Sequence, residues 1–207
     1  MMRSSKIAHR LILALVLLPL IATAGSGAAI HVPEDETSIQ AAIDGAALGD
    51  IVMLAPGNYS ESLAMRAGIT LVGTGSRPED TVLSGDYLHK ILSLVGDERP
   101  TRIENLTLQD GFAGFGAAAT IDGADATFID VHFVGNTAAA EGGAIFAYNS
   151  RLTLRNCIFY ANYSLGGGGG AVHIEGTDSK NSVQVIEFCS FAGNSGCCGG
   201  TSLVMGG

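Results

Sequence analysis

A repeat in the second half of the chain constrains its fold more than any other feature. Four six-residue segments align without gaps, and their starts are 25, 26 and 32 residues apart. These segments are residues 103–108, 128–133, 154–159 and 186–191. A glycine–alanine step recurs in phase with them, at Gly116, Gly142 and Gly169. Units this short cannot bury an apolar face alone, so the period predicts coils that stack and share one core.

Within each unit the apolar residues alternate, as in residues 152–154, which is the pattern of a β-strand. The alternation slips by one residue across residues 155–156, and such a slip indicates a corner between two strands. The corner positions hold residue types that readily adopt a left-handed backbone: Asn105, Asp130 and Asn156. Phe188 occupies the corner of the last unit and breaks this pattern.

These features predict an all-β fold, a right-handed single-stranded parallel β-helix, over residues 25–207. Adjacent coils of such a solenoid lie about 4.8 Å apart, so equivalent side chains stack into columns. One predicted interior column is Leu106, Val131, Cys157 and Cys189, and another is Leu108, Phe133, Phe159 and Phe191.

A short amphipathic helix is predicted upstream, over residues 37–46, with Thr37 or Ser38 as its N-cap. It would cover the open end of the stack. At the other end, residues 199–205 have the pattern of one more strand and no cap follows them. We therefore expect the sequence to be truncated there, and we expect self-association through this uncapped C-terminal end.

Residues 1–24 have the pattern of a secretory signal peptide. Three basic residues precede an apolar run over residues 11–21, and small residues at 22–24 form a cleavage pattern. The run is about half the length that a membrane-spanning helix needs, and no later stretch is longer or more apolar, so no transmembrane segment is predicted. The mature protein is expected to be secreted, either extracellular or on the cell outer membrane surface.

Removal of this segment leaves 8 basic and 20 acidic residues, a net charge of about −12. Repulsion from phosphate groups argues against nucleic acid as a partner. An acidic, glycine-rich surface is compatible with cation association or with contact to uncharged glycans.

Each regular unit continues into a Phe-x-x-Asn tetrapeptide, at residues 133–136, 159–162 and 191–194, and the glycine pair follows the first two. This alternation resembles the Phe-x-x-Asn and Gly-Gly-Ala-Ile repeats of the polymorphic outer membrane proteins, over residues 128–207. The resemblance implies the exposed β-helical passenger region of a surface protein, in a family with many adhesins.

The first third of the chain is similar to the opening of pectin-lyase-like β-helix proteins, pectinesterases among them. Gly57, Tyr59 and Glu61 match a pectinesterase motif, which belongs to a structural first coil and not to the reaction centre. The later signatures with two catalytic aspartates and an arginine are missing, and Gln109–Asp110 is only a partial echo of them.

A polysaccharide lyase needs clustered carboxylates to hold calcium and a basic residue to take a proton. The candidate acids on neighbouring coils are Asp110, Asp122, Asp125 and Asp130, and the nearest basic residues are Arg102, Arg151 and Arg155. No acidic pair occupies a repeated position, so we interpret these residues as the surface of an acidic solenoid. No catalytic, cofactor-binding or metal-ligating residue is assigned.

Two histidines fall within the repeats. His132 lies between inward-facing positions and is expected to face solvent. His173 takes the place of Thr120 and Phe146 in the other units, and without a second histidine nearby it is not predicted to bind metal. The glycine run at residues 166–170 is expected to be a flexible loop between strands.

Cys157 and Cys189 fall in the same interior column, at a spacing that a disulfide tolerates. A disulfide fits this spacing without being required by it, and a pair of buried thiols is the alternative. The pairing of Cys197 and Cys198 is left open.

Two functions follow from these patterns. The first is a non-catalytic, adhesin-like binding region that contacts glycans or the surface of a host or neighbouring cell through its repeats. The second is a fragment of a polysaccharide lyase or a pectinesterase-like carbohydrate-active enzyme.

Overall fold

The structure is a computed structural model that describes residues 27–176, 184–197 and 203–205. The predicted signal segment lies outside these residues. The elements are β1 (Ala29–Val32), α1 (Ile39–Gly45), β2 (Ile51–Leu54), β3 (Gly57–Tyr59), β4 (Leu63–Met65), β5 (Thr70–Gly73), a 3₁₀ helix (Pro78–Asp80), β6 (Thr81–Ser84), β7 (Leu92–Gln109), β8 (Phe112–Ala113), β9 (Ala119–Val134), β10 (Thr137–Ala138), β11 (Ile145–Tyr148), β12 (Arg151–Arg155), β13 (Ile158–Tyr160), β14 (Tyr163–Ser164), β15 (Val172–Glu175), β16 (Val185–Glu187), β17 (Ser190–Ala192), β18 (Ser195–Gly196) and β19 (Leu203–Met205).

These strands form the predicted parallel β-helix. On one face they stack in the order β1-β2-β5-β7-β9-β11-β15-β19, and every pairing along this path is parallel. A narrow second sheet of two-residue strands has the order β18-β14-β10-β8. Pairing of β19 with β15 confirms that one more strand follows residue 197.

The register of the strands confirms the gapless alignment of the repeats. Phe128 pairs with Ile103 on the preceding coil and with Leu154 on the following coil, and Leu154 pairs in turn with Ile186. A shift by one residue would turn each of these apolar side chains to the outside. The alternation of buried and exposed positions therefore fixes the register.

The corner residues adopt the predicted conformation. Asn105, Asp130 and Asn156 have φ values of 50°, 53° and 52°. Phe188 also lies there, at a φ of 56°, although its side chain is 88% exposed. The fourth unit thus keeps the backbone of the corner, and only the residue type departs from the pattern.

Both predicted interior columns point inward. Leu108, Phe133 and Phe159 are fully buried, whereas Phe191 at the far end is partly buried. The rings of Phe133 and Phe159 stack at 4.4 Å between centroids with an interplanar angle of 1°, and Phe191 continues the stack at 4.6 Å. Parallel stacking of this kind follows from coils that repeat at the strand spacing.

The asparagine of each Phe-x-x-Asn tetrapeptide forms a buried ladder along the solenoid. The Asn136 amide nitrogen donates to the Leu108 carbonyl at 3.0 Å and to Asn162 Oδ1 at 2.9 Å. The Asn162 amide nitrogen donates in the same way to the Phe133 carbonyl at 2.9 Å and to Asn194 Oδ1 at 2.8 Å. Asn136 and Asn162 are fully buried, so these bonds satisfy groups that water cannot reach.

The glycine pairs are required by close backbone contacts. Gly116, Gly142 and Gly169 have φ values of 51°, 64° and 45°. At Gly143 an added Cβ would lie 2.0 Å from the Gly170 carbonyl oxygen of the next coil. Glycine at these positions therefore allows the turns to stack, whereas the first unit has Ala117 at the position of Gly143.

The predicted loop between strands is present at residues 166–170, between β14 and β15, and its backbone is closely packed. A Cβ at Gly166 would lie 2.5 Å from the Ala140 carbonyl oxygen, and one at Gly168 would lie 2.8 Å from Glu141 Cγ. Gly168 also forms a β-bridge with Glu141. The run is a closely packed turn, because it must follow the turn of the preceding coil.

Helix α1 forms as predicted, with Ser38 as its N-cap accepting from the Ala41 amide at 3.1 Å. Its apolar side is buried and contacts β1, β2 and β4. The Glu61 carboxylate accepts from the backbone amides of Ile39 and Gln40 at 3.0 and 3.1 Å. The pectinesterase-like motif that contains Glu61 thus holds the first turn of the helix in place.

No helix within the described residues is long and apolar enough to span a bilayer.

Replacement of Asn162 by alanine should strongly destabilise the fold. The change removes the acceptor of the buried Asn136 backbone amide and a donor to the Phe133 carbonyl, which should lower the free energy of unfolding by about 3 kcal/mol. Urea denaturation followed by circular dichroism measures this loss. Asn58→Ala on the exposed side of β3 is the control, with an expected change within about 0.5 kcal/mol. Equal losses in the two variants would contradict the ladder.

Replacement of Phe188 by asparagine should stabilise the last coils. Asparagine tolerates the left-handed backbone better than phenylalanine does, and the exposed ring contributes little burial, so we expect a gain of up to about 1 kcal/mol. Thermal unfolding measures the gain. Phe188→Leu is the control, because leucine keeps the strain, and a similar gain there would mean that ring exposure and not backbone strain is the cause.

Candidate functional site

A polar cleft of about 330 Å³ lies beside the corner of the coils. One wall is the segment that leads into the 3₁₀ helix, and the other is formed by corner residues and by the outward side of β9 and β13. The lining residues are Ser76, Arg77, Pro78, Asn105, Asp130, His132, Asn156 and Ile158. Amide, carboxylate, imidazole and guanidinium groups thus share one concave surface.

The corner side chains in this cleft are held by hydrogen bonds. Asn105 donates from its amide nitrogen to the carbonyls of Gly73 and Gly75, each at 2.8 Å. The Asn156 amide donates to the Asp130 carboxylate. The polar wall is therefore fixed before any ligand arrives.

The expectation of a solvated His132 is wrong. Its side chain is only 16% exposed, and Nδ1 lies 3.3 Å from Glu79 Oε1. His132 faces outward as predicted, but the 3₁₀ helix from an earlier coil covers it. The strand periodicity indicates which side of the sheet His132 faces. It does not indicate that a segment about 50 residues upstream covers that side.

The candidate arginines for lyase chemistry are all committed to ion pairs: Arg102 with Glu104, Arg151 with Asp125 at 2.5 Å, and Arg155 with Glu187 at 3.2 Å. Side-chain exposures of 46–53% for these arginines are typical of surface pairs. Only Arg151 contacts one of the candidate aspartates, Asp125, whereas the partners of the other two arginines are glutamates.

The candidate aspartates are likewise dispersed. Asp122 pairs in register with Val95 and Tyr148, so no acidic residue lies directly beside it on either coil. Asp110 forms a turn with a φ of 54° and accepts a hydrogen bond from the Tyr87 hydroxyl, which raises the pKa of Tyr87. Asp110, which partly matches a catalytic signature, therefore has a structural role.

A second polar cluster was not predicted from the sequence. His173 on β15 lies between two carboxylates, with Nε2 3.4 Å from Glu141 Oε2 and 3.3 Å from Glu175 Oε2. Glu175 lies two residues along the same strand, so the sequence alone could have indicated its proximity to His173. Glu141 is separated by 32 residues and comes close only because successive coils stack.

Cys157 and Cys189 are both free thiols, but only Cys157 fits the predicted alternative of buried thiols. Cys157 is fully buried, while Cys189 is partly exposed. A hydrogen bond from the Cys157 thiol stabilises the Cys189 thiolate, which lowers the pKa of Cys189 to about 7 and raises the pKa of Cys157. Cys198 lies outside the described residues.

No protein-family model matches the chain, and no curated protein matches its sequence. Among solved structures, the crystal structure of Escherichia coli YbhC aligns at a TM-score of 0.41 and 13% identity, covering 87% of each chain. Pectin methylesterase from carrot aligns at a TM-score of 0.41 and 10% identity, covering 88% of this chain and 87% of that one. Similarity at this level assigns no activity to the chain.

Alkylation should distinguish the two stacked cysteines. Because a thiolate is the reactive form, labelling of Cys189 by iodoacetamide should rise as the pH increases through about 7, while buried Cys157 stays unlabelled. Peptide mass spectrometry assigns the labelled sites. In Cys157→Ala the donor is absent, so the midpoint for Cys189 should move up towards about 8.5. An unchanged midpoint in that variant would contradict the thiol–thiolate pair.

Proposed function

We propose that the chain is the exported β-helical binding region of a secreted or cell-surface protein, which contacts uncharged glycans on a partner surface without cleaving them. This proposal rests on a difference between the inward and the outward positions of each repeat. The Phe-x-x-Asn and glycine residues hold the coils together, whereas the outward positions change from coil to coil. One outward column, in register, is Thr107, His132, Ile158 and Ser190.

A scaffold that repeats inside and varies outside suits recognition, because side chains can change without cost to the core. The cleft at the corner offers Asp130 and Asn156 as an acceptor–donor pair and Arg77 as an exposed donor. Sugar hydroxyl groups both donate and accept, so they match such a mixed surface. The acidic net charge disfavours polyanionic glycans and favours uncharged ones.

The export part of the proposal is supported by the signal-peptide pattern of residues 1–24. The repeats that resemble those of the polymorphic outer membrane proteins support a surface location, and the asparagine ladder supplies a physical reason for such a repeat. Self-association through the last coils stays a prediction.

An enzyme of the lyase or esterase type is the second candidate. It is favoured by the β-helix fold alone, whereas the three candidate arginines engage in separate ion pairs. The binding function is therefore the better supported of the two.

Glycan binding by the mature chain should be measurable on immobilised polysaccharides, both uncharged ones and pectin, polygalacturonate and alginate. We expect saturable binding to an uncharged glycan with little dependence on salt, because no ion pair dominates it. Ile158→Arg should block the cleft and weaken this binding at least tenfold. Tyr148→Arg is the matched control, since Tyr148 is 40% exposed against 39% for Ile158 and lies outside the cleft.

The same samples test the enzyme alternative. Incubation with pectin, polygalacturonate and alginate in the presence of calcium should release neither methanol nor unsaturated chain ends. Release of either product would overturn the proposal, as would equal binding by the two arginine variants.

A further inference from the structure

We propose that Glu141, His173 and Glu175 form a binding site for a divalent transition-metal ion of the Zn²⁺ type. The site lies away from the cleft at the corner, and the proposal does not depend on glycan binding. The burial of the imidazole, the positions of the three donor atoms and the packing that holds them support this site.

The imidazole of His173 is held in a packed column. Its backbone pairs with Phe146 on the preceding coil, and the two rings stack at 5.6 Å between centroids with an interplanar angle of 21°. The Phe115 ring continues this column at 4.9 Å from Phe146. Only 9% of the His173 side chain is exposed, so the ring has one orientation, with Nε2 directed at the two glutamates.

The donor atoms have the spacing of metal ligands. Atoms bound to a tetrahedral zinc ion at about 2.0–2.1 Å are about 3.3–3.4 Å apart. The distances from His173 Nε2 to the carboxylate oxygens of Glu141 and Glu175 are 3.4 and 3.3 Å, and all three donor atoms lie within 4.8 Å of one another. A small adjustment of the two glutamates would complete three corners of a tetrahedron.

The charges in the cluster are those that a divalent cation neutralises. Two carboxylates face a single imidazole, and among the described residues neither glutamate pairs with an arginine or lysine. A neutral imidazole and two carboxylates carry a charge of about −2, which a divalent ion cancels while relieving the repulsion between the carboxylates.

The backbone beside the cluster leaves room for this approach. A Cβ at Gly168 would lie 2.8 Å from both His173 Nδ1 and Glu141 Cγ. The glycine at this position therefore lets Glu141 and His173 come together, and the β-bridge between Glu141 and Gly168 holds the Glu141 backbone beside this glycine. Gly168, the central glycine of residues 166–170, is therefore needed for this cluster as well as for the turn.

The donor set selects the class of metal. Ca²⁺ and Mg²⁺ prefer all-oxygen sites, whereas a nitrogen donor with carboxylates suits Zn²⁺, Co²⁺ or Ni²⁺. His173 Nδ1 is buried with no hydrogen-bond partner among the described residues, so the usual second contact that strengthens a metal-bound histidine is missing. The affinity should accordingly be moderate. With Glu141 and Glu175 at 34% and 42% exposure, a fourth position is open to water or to a ligand oxygen.

Calorimetric titration of the metal-free mature chain with Zn²⁺ tests the proposal, and visible absorption of the Co²⁺ form reports a tetrahedral nitrogen–oxygen site. We expect one ion per chain and a loss of affinity of about tenfold or more in Glu141→Gln, Glu175→Gln and His173→Ala. The glutamine variants keep the size of partly exposed side chains, so they decide the result if circular dichroism shows that His173→Ala does not fold.

His132→Ala is the matched control, because His132 faces a single carboxylate, that of Glu79, and should leave Zn²⁺ affinity unchanged. A hundredfold excess of Ca²⁺ should not displace Zn²⁺. Absence of Zn²⁺ binding by the unmodified chain, unchanged affinity in both glutamine variants, or displacement by Ca²⁺ would each overturn the site. These results are separate from glycan binding, which the Ile158→Arg comparison decides.

Discussion

The buried asparagine ladder is the interaction on which the other features of the repeat depend. An asparagine side chain carries both a carbonyl acceptor and an amide donor, so one residue can bond to the coil on each side. In Asn136 and Asn162 the amide nitrogen serves a backbone carbonyl and the next asparagine, while Asn162 Oδ1 also accepts from the Asn136 backbone amide at 3.1 Å. Such bonding works only when equivalent residues stand directly above one another, so the ladder ties the coils that carry these asparagines to one register.

The phenylalanine three residues earlier complements this constraint. Phe133 and Phe159 stack face to face in the interior, and their carbonyls accept from asparagines 29 and 35 residues further along the chain. The same short motif thus supplies an apolar column and a polar column. Mispairing by one residue would break both, which is why a chain with short strands can specify one stack.

Because the ladder and the ring stack hold the coils together, the outward positions can vary without destabilising the fold. The column that contains His132 and Ile158 changes chemistry at every coil, and the loops that leave the stack differ in length and path. Both polar clusters arise where such a loop returns over the sheet. The 3₁₀ helix covers His132, and the turn that carries Glu141 covers His173. Both polar clusters therefore depend on loops that the repeat itself does not specify.

The sequence by itself determined the period, the register, the corner conformation and the helix at the N-terminal end. These are local properties: side-chain alternation reports the buried face, and asparagine or aspartate reports a left-handed backbone. Tertiary structure decided the ladder partners of Asn136 and Asn162, the close packing of the glycine run and the approach of Glu141 to His173. Each of these depends on the path of a loop between coils, and that path is set by contacts with neighbouring coils that no single period encodes.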